Sequence, residues 1–101
     1  MKYKMKVRLI KSPLKNKKWR MLFYDDGLLV EHTDFGHPSY EDYTIHHDDN
    51  RKQLYLARFQ KLIKNNINNP YAPITLSTWI LWNQKSIEDS LKSYKKLFKF
   101  Q

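Results

Sequence analysis

The sequence predicts an α+β fold: a small N-terminal antiparallel sheet of about three strands, followed by about three helices. Three observations predict it. From Lys2 to Leu9 cations and apolar residues alternate strictly, the period of a half-buried strand. Asp25-Asp26-Gly27 then stands between two strand-forming runs, where a hairpin turn with glycine at positive φ belongs. From Asp49 onward apolar residues recur at helical spacing instead.

Each element follows in order. Lys2, Lys4, Lys6 and Arg8 form one face of the first strand, and Tyr3, Met5, Val7 and Leu9 the other. Ser12-Pro13 closes the strand, and Leu14 to Lys17 reads as a loop. A second strand is expected from about Lys18 to Tyr24 and a third from Leu28 to Thr33. A loop of two residues and a loop of three both fit the turn, and one residue of register exchanges the faces, so Glu31 and His32 are assigned to neither. Asp34 to His47 holds Gly36, Pro38 and Ser39 and reads as an irregular connection pinned by Phe35, Tyr40 and Tyr43. Asp34-Phe35-Gly36 does not read as a kinase motif, because the chain lacks the other kinase elements. A helix is expected from about Asp49 to Lys64, with Tyr55, Phe59 and Leu62 on its buried stripe and Arg58, Lys61 and Lys64 on a basic ridge. Thr75 or Ser77 caps a short apolar helix through Trp82. Ser86 opens the last helix with Asp89 as its partner three positions inside it, and Ile87, Leu91, Tyr94 and Phe98 form its buried stripe.

At 101 residues one domain is expected, with strands in 1–34, an aromatic and acidic connection in 35–48 and the helical part in 49–100. Fifteen aromatic side chains supply large apolar bodies, so a core is within reach. The longest apolar runs are far below the roughly 20 residues of a membrane span, and the N-terminal cations are not followed by an apolar run. Neither a span nor a signal peptide is therefore expected, and the expected setting is a cytoplasm or a virion. Without cysteine there is no disulfide framework and no thiolate zinc site.

Charge is the most informative quantity. The net charge is +9, and it is divided along the chain. Residues 1–20 contain nine Lys/Arg and no acid; residues 21–50 contain eight Asp/Glu, all four His and no Lys/Arg; residues 51–101 are basic again. Folding has two ways to use this order. The basic blocks either gather on one side and attract phosphate, or pair with the acidic middle and leave a milder surface.

Two groups of candidate residues follow. The first is cationic: Lys2, Lys4, Lys6 and Arg8 would meet phosphates at a repeat of about 6.7 Å along a strand, and Arg51, Lys52, Arg58 and Lys61 would extend the patch. The same residues also read as the solvated faces of an edge strand and a helix. Arg51 and Arg58 flank the Tyr55 stripe and are expected half-buried against the acidic segment. The second group is His46-His47-Asp48-Asp49, whose ligand types suit a divalent metal and phosphodiester hydrolysis. Adjacent residues of an extended chain point alternately, however, and no strong metal spacing is present. Asp48 as a helix N-cap, with Asp49 in the first turn, is the better reading; His46 and Asp48 stay as the weak metal candidates. Asp48, Ser86 and Gly27 are thus the expected structural residues, and Trp19, Trp79 and Trp82 read as core rather than as base-stacking platforms. No catalytic motif and no cofactor are expected.

The blocks "DYTIHHDDNRKQLYLARF", "LSTWILWN" and "SIEDSLKSYKKLF" resemble a family of small basic uncharacterised proteins of nucleocytoplasmic large DNA viruses. The resemblance rests on Asp42, Tyr43, Thr44, His46, Asp48, Arg51, Lys52, Tyr55, Leu56 and Arg58, then on Leu76, Ser77, Trp79 to Trp82, Tyr94, Lys95 and Phe98. It covers about residues 17–100. The chain departs from the pattern at Ala72-Pro73-Ile74, where the family tends to have Thr-Ala-Gly, and at Asp49, where it often has Pro. The resemblance implies a viral setting and no activity. The function expected is non-enzymatic binding of nucleic-acid phosphates, in a virion or virus factory. The alternative is an adaptor that contacts acidic viral protein surfaces, and the third reading is a metal-dependent nuclease.

Overall fold

The structure, a computed structural model, describes residues 5–101. Its three strands are β1 (Met5–Lys11), β2 (Trp19–Asp25) and β3 (Leu28–Phe35), joined antiparallel in the order β1-β2-β3. Register turns the alternation of the sequence into two unlike faces. Val7 lies opposite Phe23 and Leu9 opposite Met21, so one face is apolar; Lys6 opposite Tyr24 and Arg8 opposite Leu22 make the other. The hairpin loop has two residues. Asp26 (φ 50°) and Gly27 (φ 83°) both take left-handed backbone between the paired Asp25 and Leu28, the type I′ geometry that matches strand twist. Between Phe23 and Tyr24 the pairing shifts, with Val30 as the extra residue of a bulge. The shift decides the two unassigned residues: Glu31 lies opposite Phe23, and His32 lies opposite Leu22 on the open face.

Behind the apolar face come α1 (Tyr43–His46), α2 (Asp49–Arg58), α3 (Gln60–Asn65), α4 (Pro73–Leu76), a π-helical turn at Ser77–Leu81, and α5 (Ile87–Phe98). The core joins Val7, Met21, Phe23 and Phe35 of the sheet to Leu76, Ile80, Leu81, Tyr94 and Phe100. Each large side chain fully buried there contributes about 1.5–3 kcal/mol. Ser86 caps α5 by accepting from the Asp89 amide, as its sequence position predicts. At the other end Lys99 turns left-handed (φ 59°), and the Phe100 amide donates to Lys95 O, folding Phe100 back into the core. Gln101 then exchanges hydrogen bonds with Val7 and Met5 along the outer edge of β1.

The helical part departs from expectation in four places. The single helix from Asp49 to Lys64 is two, because Phe59 (φ −104°, ψ 11°) leaves helical geometry and turns its ring toward Tyr55. Beyond that kink the stripe is lost, and Leu62 is 48% exposed. Neither Thr75 nor Ser77 caps the apolar helix: Ala72 precedes it, Pro73 takes the first position, and Thr75 Oγ1 instead donates to Asn66 O. Four successive apolar residues from Trp79 to Trp82 exceed the width of one α-helical face. The wider π turn lets Ile80 and Leu81 both enter the core. Finally, the connection is less irregular than it reads. Phe35 ends β3 and Tyr43 begins α1, both buried, whereas Tyr40 is 69% exposed and pins nothing.

Candidate nucleic-acid interface

The acidic segment is organised by Asp42. Its carboxylate caps α1 by accepting from the Thr44 amide, accepts a hydrogen bond from Thr44 Oγ1, and binds Lys18 Nζ at 2.7 Å. Side-chain exposures of 13% for Lys18 and 4% for Asp42 make this the most enclosed of the ion pairs. Asp34 is bound by Arg20 Nε and Nη2 at 2.9 and 3.0 Å and by Ser12 Oγ at 2.7 Å. The Arg20 fork, with help from Ser12, holds the Asp34 carboxyl below its usual range despite some desolvation. Glu41 meets Arg51 at 3.3 Å on the surface.

His46-His47-Asp48-Asp49 comes apart into four separate structural tasks. His47 ends α1 in left-handed backbone, its amide donating to Tyr43 O. Asp48 Oδ1 caps α2 by accepting from the amides of Asn50 and Arg51 at 2.9 and 3.2 Å. Asp49 accepts from the Tyr43 hydroxyl, which raises the Tyr43 phenol above its ordinary value. His46 Nδ1 accepts from the Asp48 amide at 2.9 Å, while the ring leans on Trp82 and the buried Nε2 meets no partner among the described residues. With its Nδ1 and the Asp48 carboxylate so occupied, this turn is a helix entrance. Among the described residues no three His, Cys, Asp or Glu side chains converge as a metal site would need.

The cationic candidates are dispersed. Lys6 and Arg8 are exposed on the open face of β1, whereas Lys2 and Lys4 lie outside the described residues. Lys52 is drawn inward: its ammonium donates to Asn83 O at 2.6 Å and sits over the Tyr43 ring. Arg51 does pair with the acidic segment, but on the surface rather than half-buried. Arg58 is also exposed, with its guanidinium over the Phe59 ring and no carboxylate partner among the described residues. Lys61 and Lys64 are exposed on α3.

Between the start of β2 and α2 lies a cleft of about 710 Å³. Asn16, Lys17 and Lys18 stand on one side with the connection from Phe35 to Asp42; Arg51, Tyr55, Arg58 and Phe59 stand on the other. Pro73, Ile74, Ser77, Leu81 and Trp82 complete it. A row of rings stiffens the helical wall: Trp82 stacks on Tyr55 at 4.5 Å and 6°, and Tyr55 meets Phe59 at 4.9 Å. Burial raises the Tyr55 phenol above its ordinary value, and its hydroxyl pairs with Thr78 Oγ1. Gly36 lets the connection pass close to the π turn. It holds φ 77°, and a Cβ there would stand 3.0 Å from Leu81 Cδ1 and 3.2 Å from Lys18 Cβ.

Residues 7–59 match a family of unknown function, DUF5754. The chain belongs to this family. The matched stretch runs from Val7 to the kink at Phe59, so it includes nearly all of the sheet and both sides of the cleft but not the lining from Pro73 onward. No curated protein and no solved structure matches the chain.

The cleft is what reading along the sequence missed. Asn16 and Lys17 stand in a stretch that reads as a plain loop, and Tyr40 in one that reads as an anchor. No periodic pattern marks three separate segments that meet only through the fold. The one available signal was Asp42, an acid beside a helix start whose second partner, Lys18, lies 24 residues away.

Proposed function

We propose that the protein binds nucleic acid through backbone phosphates, without enzymatic chemistry, and that it does so in a virion or virus factory, as the resemblance to large-DNA-virus proteins implies. One observation carries the reading: the acidic middle does not neutralise the basic blocks. Ion pairs among the described residues engage only Lys18, Arg20 and Arg51. Asp48 and Asp49 are taken by backbone amides and a tyrosine, so they offer little to the cations. Lys6 and Arg8 on β1, Arg58, Lys61 and Lys64 on α2 and α3, and Lys92, Lys96 and Lys99 at the C-terminal end remain exposed, with no carboxylate partner among the described residues. Fifteen of the nineteen cations are Lys, which suits phosphate contact rather than the forked base contacts of Arg.

A salt series tests it. Affinity for a short DNA duplex should fall steeply with salt, with a log–log slope of about −0.9 per phosphate contact. Changing Lys4, Lys6 and Arg8 together to Glu should abolish binding. No binding at low salt, or a flat slope, ends the proposal. The second reading, an adaptor for acidic protein surfaces, has one observation in its favour: Leu28, Leu29 and Val30 at the hairpin are 71%, 55% and 55% exposed. It requires protein capture in the absence of nucleic-acid affinity.

A further inference from the structure

We infer that the cleft between the start of β2 and α2 is a nucleotide subsite, taking one unstacked nucleotide of a single strand or the free nucleoside monophosphate. This rests on the proposed nucleic-acid function and names its ligand more narrowly. The cleft's volume, about 710 Å³, falls within the range of about 300–1,000 Å³ usual for small-ligand sites. Its charges are not equivalent. Lys18 is bound by Asp42 and Arg51 by Glu41, which cancels two cations against both acids of the lining. Lys17 and Arg58 both line the cleft and have no carboxylate partner among the described residues. Stacking over Phe59 orients Arg58 while leaving its N–H groups without an acceptor among the described residues. Two cations without a carboxylate partner among the described residues, in the lining of a half-apolar concavity, suit a phosphate.

The base would have an aromatic neighbour too. Trp82 and Tyr55 are stacked on each other, so they wall the cleft rather than offer a free face. Tyr40 is different. It is 69% exposed at the rim, touching only the His37 ring at 5.1 Å among the aromatics. An exposed ring beside unpaired cations is what a single strand uses for one of its bases, and duplex DNA has no base to give it.

Fluorescence anisotropy with a labelled ten-nucleotide oligo-dA and a blunt duplex, each challenged with adenosine 5′-monophosphate and with inorganic phosphate, tests this. The monophosphate should displace the single strand better than phosphate does, and should leave the duplex bound. Tyr40→Ala should weaken the single strand about fivefold or more, leave duplex affinity unchanged, and be rescued by Tyr40→Phe. Lys17→Gln with Arg58→Gln should weaken the monophosphate about tenfold or more; both side chains lie outside the core, so melting curves should match the parent's. A monophosphate that neither binds nor displaces overturns the inference, as does Tyr40→Ala acting on duplex and single strand alike. Loss of duplex binding at low salt in the parent protein would instead overturn the broader proposal, and the monophosphate titration reads the cleft independently of it.

Discussion

Replacing Asp42 by Ala should be among the most damaging changes at the cleft, and its size follows from three contacts. The first is the enclosed pair with Lys18; removing one partner of a buried pair costs about 3–5 kcal/mol. Lys18 retains 13% exposure and a flexible stem, so it can swing toward water and the lower end applies. The second contact is the cap on α1, worth about 1 kcal/mol, and the third is the Thr44 hydroxyl. These share one carboxylate and do not add in full, which gives a loss of about 3–4 kcal/mol. For a chain of this length that is a fall of about 15 °C in Tm. Lys18→Met should cost less, about 1.5–3 kcal/mol, because the Thr44 amide and hydroxyl still satisfy the Asp42 carboxylate that it leaves behind. The pair and the double variant are compared by thermal unfolding followed by circular dichroism. Lys18→Met as damaging as Asp42→Ala, or strict additivity in the double variant, would refute the reasoning. A second readout carries the opposite sign: Asp42→Ala frees Lys18, so the less stable protein should hold adenosine monophosphate more tightly.

Two further outcomes follow. Arg20 holds the Asp34 carboxyl below its unfolded value, so the stability it contributes is fully present above about pH 4 and is lost as pH falls through the folded value; Asp34→Asn should lower Tm at pH 7 and flatten its decline below pH 4, and an unchanged acid limb would refute the assignment. His46→Phe should be at least as stable as the parent, since losing the acceptor for the Asp48 amide costs about 1 kcal/mol while removing a buried, unpartnered Nε2 returns about 1–3 kcal/mol; a drop in Tm, or loss of nucleic-acid binding, would mean that Nε2 serves a ligand.

What the sequence made legible is what short-range physics decides. The strand alternation, the Asp-Gly turn, the Asp48 and Ser86 caps and the α5 stripe each depend on residues within a few positions of one another, and each stands where its pattern places it. The hairpin register was open because one residue of loop length inverts both faces, and only the paired strands decide it. The kink at Phe59 and the π turn at Ser77–Leu81 were hidden for a different reason. Both answer to the ring row of Tyr55, Phe59 and Trp82 and to the demand that Ile80 and Leu81 face the sheet together, which are tertiary requirements that override helical period. The cleft belongs to the same class, built by contacts between residues 16–18, 36–42 and 51–59.

The distribution of charge links these two levels. A basic–acidic–basic chain has a simple route to a neutral fold, which is to lay the middle against both ends. Here part of that charge is spent locally instead: Asp42 and Asp48 cap helices, Asp49 ties down a tyrosine, and among the described residues only Asp34, Glu41 and Asp42 take a cation. Each capping carboxylate serves an amide that would otherwise go unpaired, a task that a distant lysine cannot replace. The acidic segment therefore builds the helix entrances that form one side of the cleft, and the surplus of lysine and arginine stays on the outside. A protein under pressure only to fold would gain little from that surplus, since self-repulsion opposes compaction. A protein that meets a polyanion gains from it directly. On this argument the segment that looked most like an active site is scaffold, and the proposed phosphate binding would rest with the cations that have no carboxylate partner among the described residues.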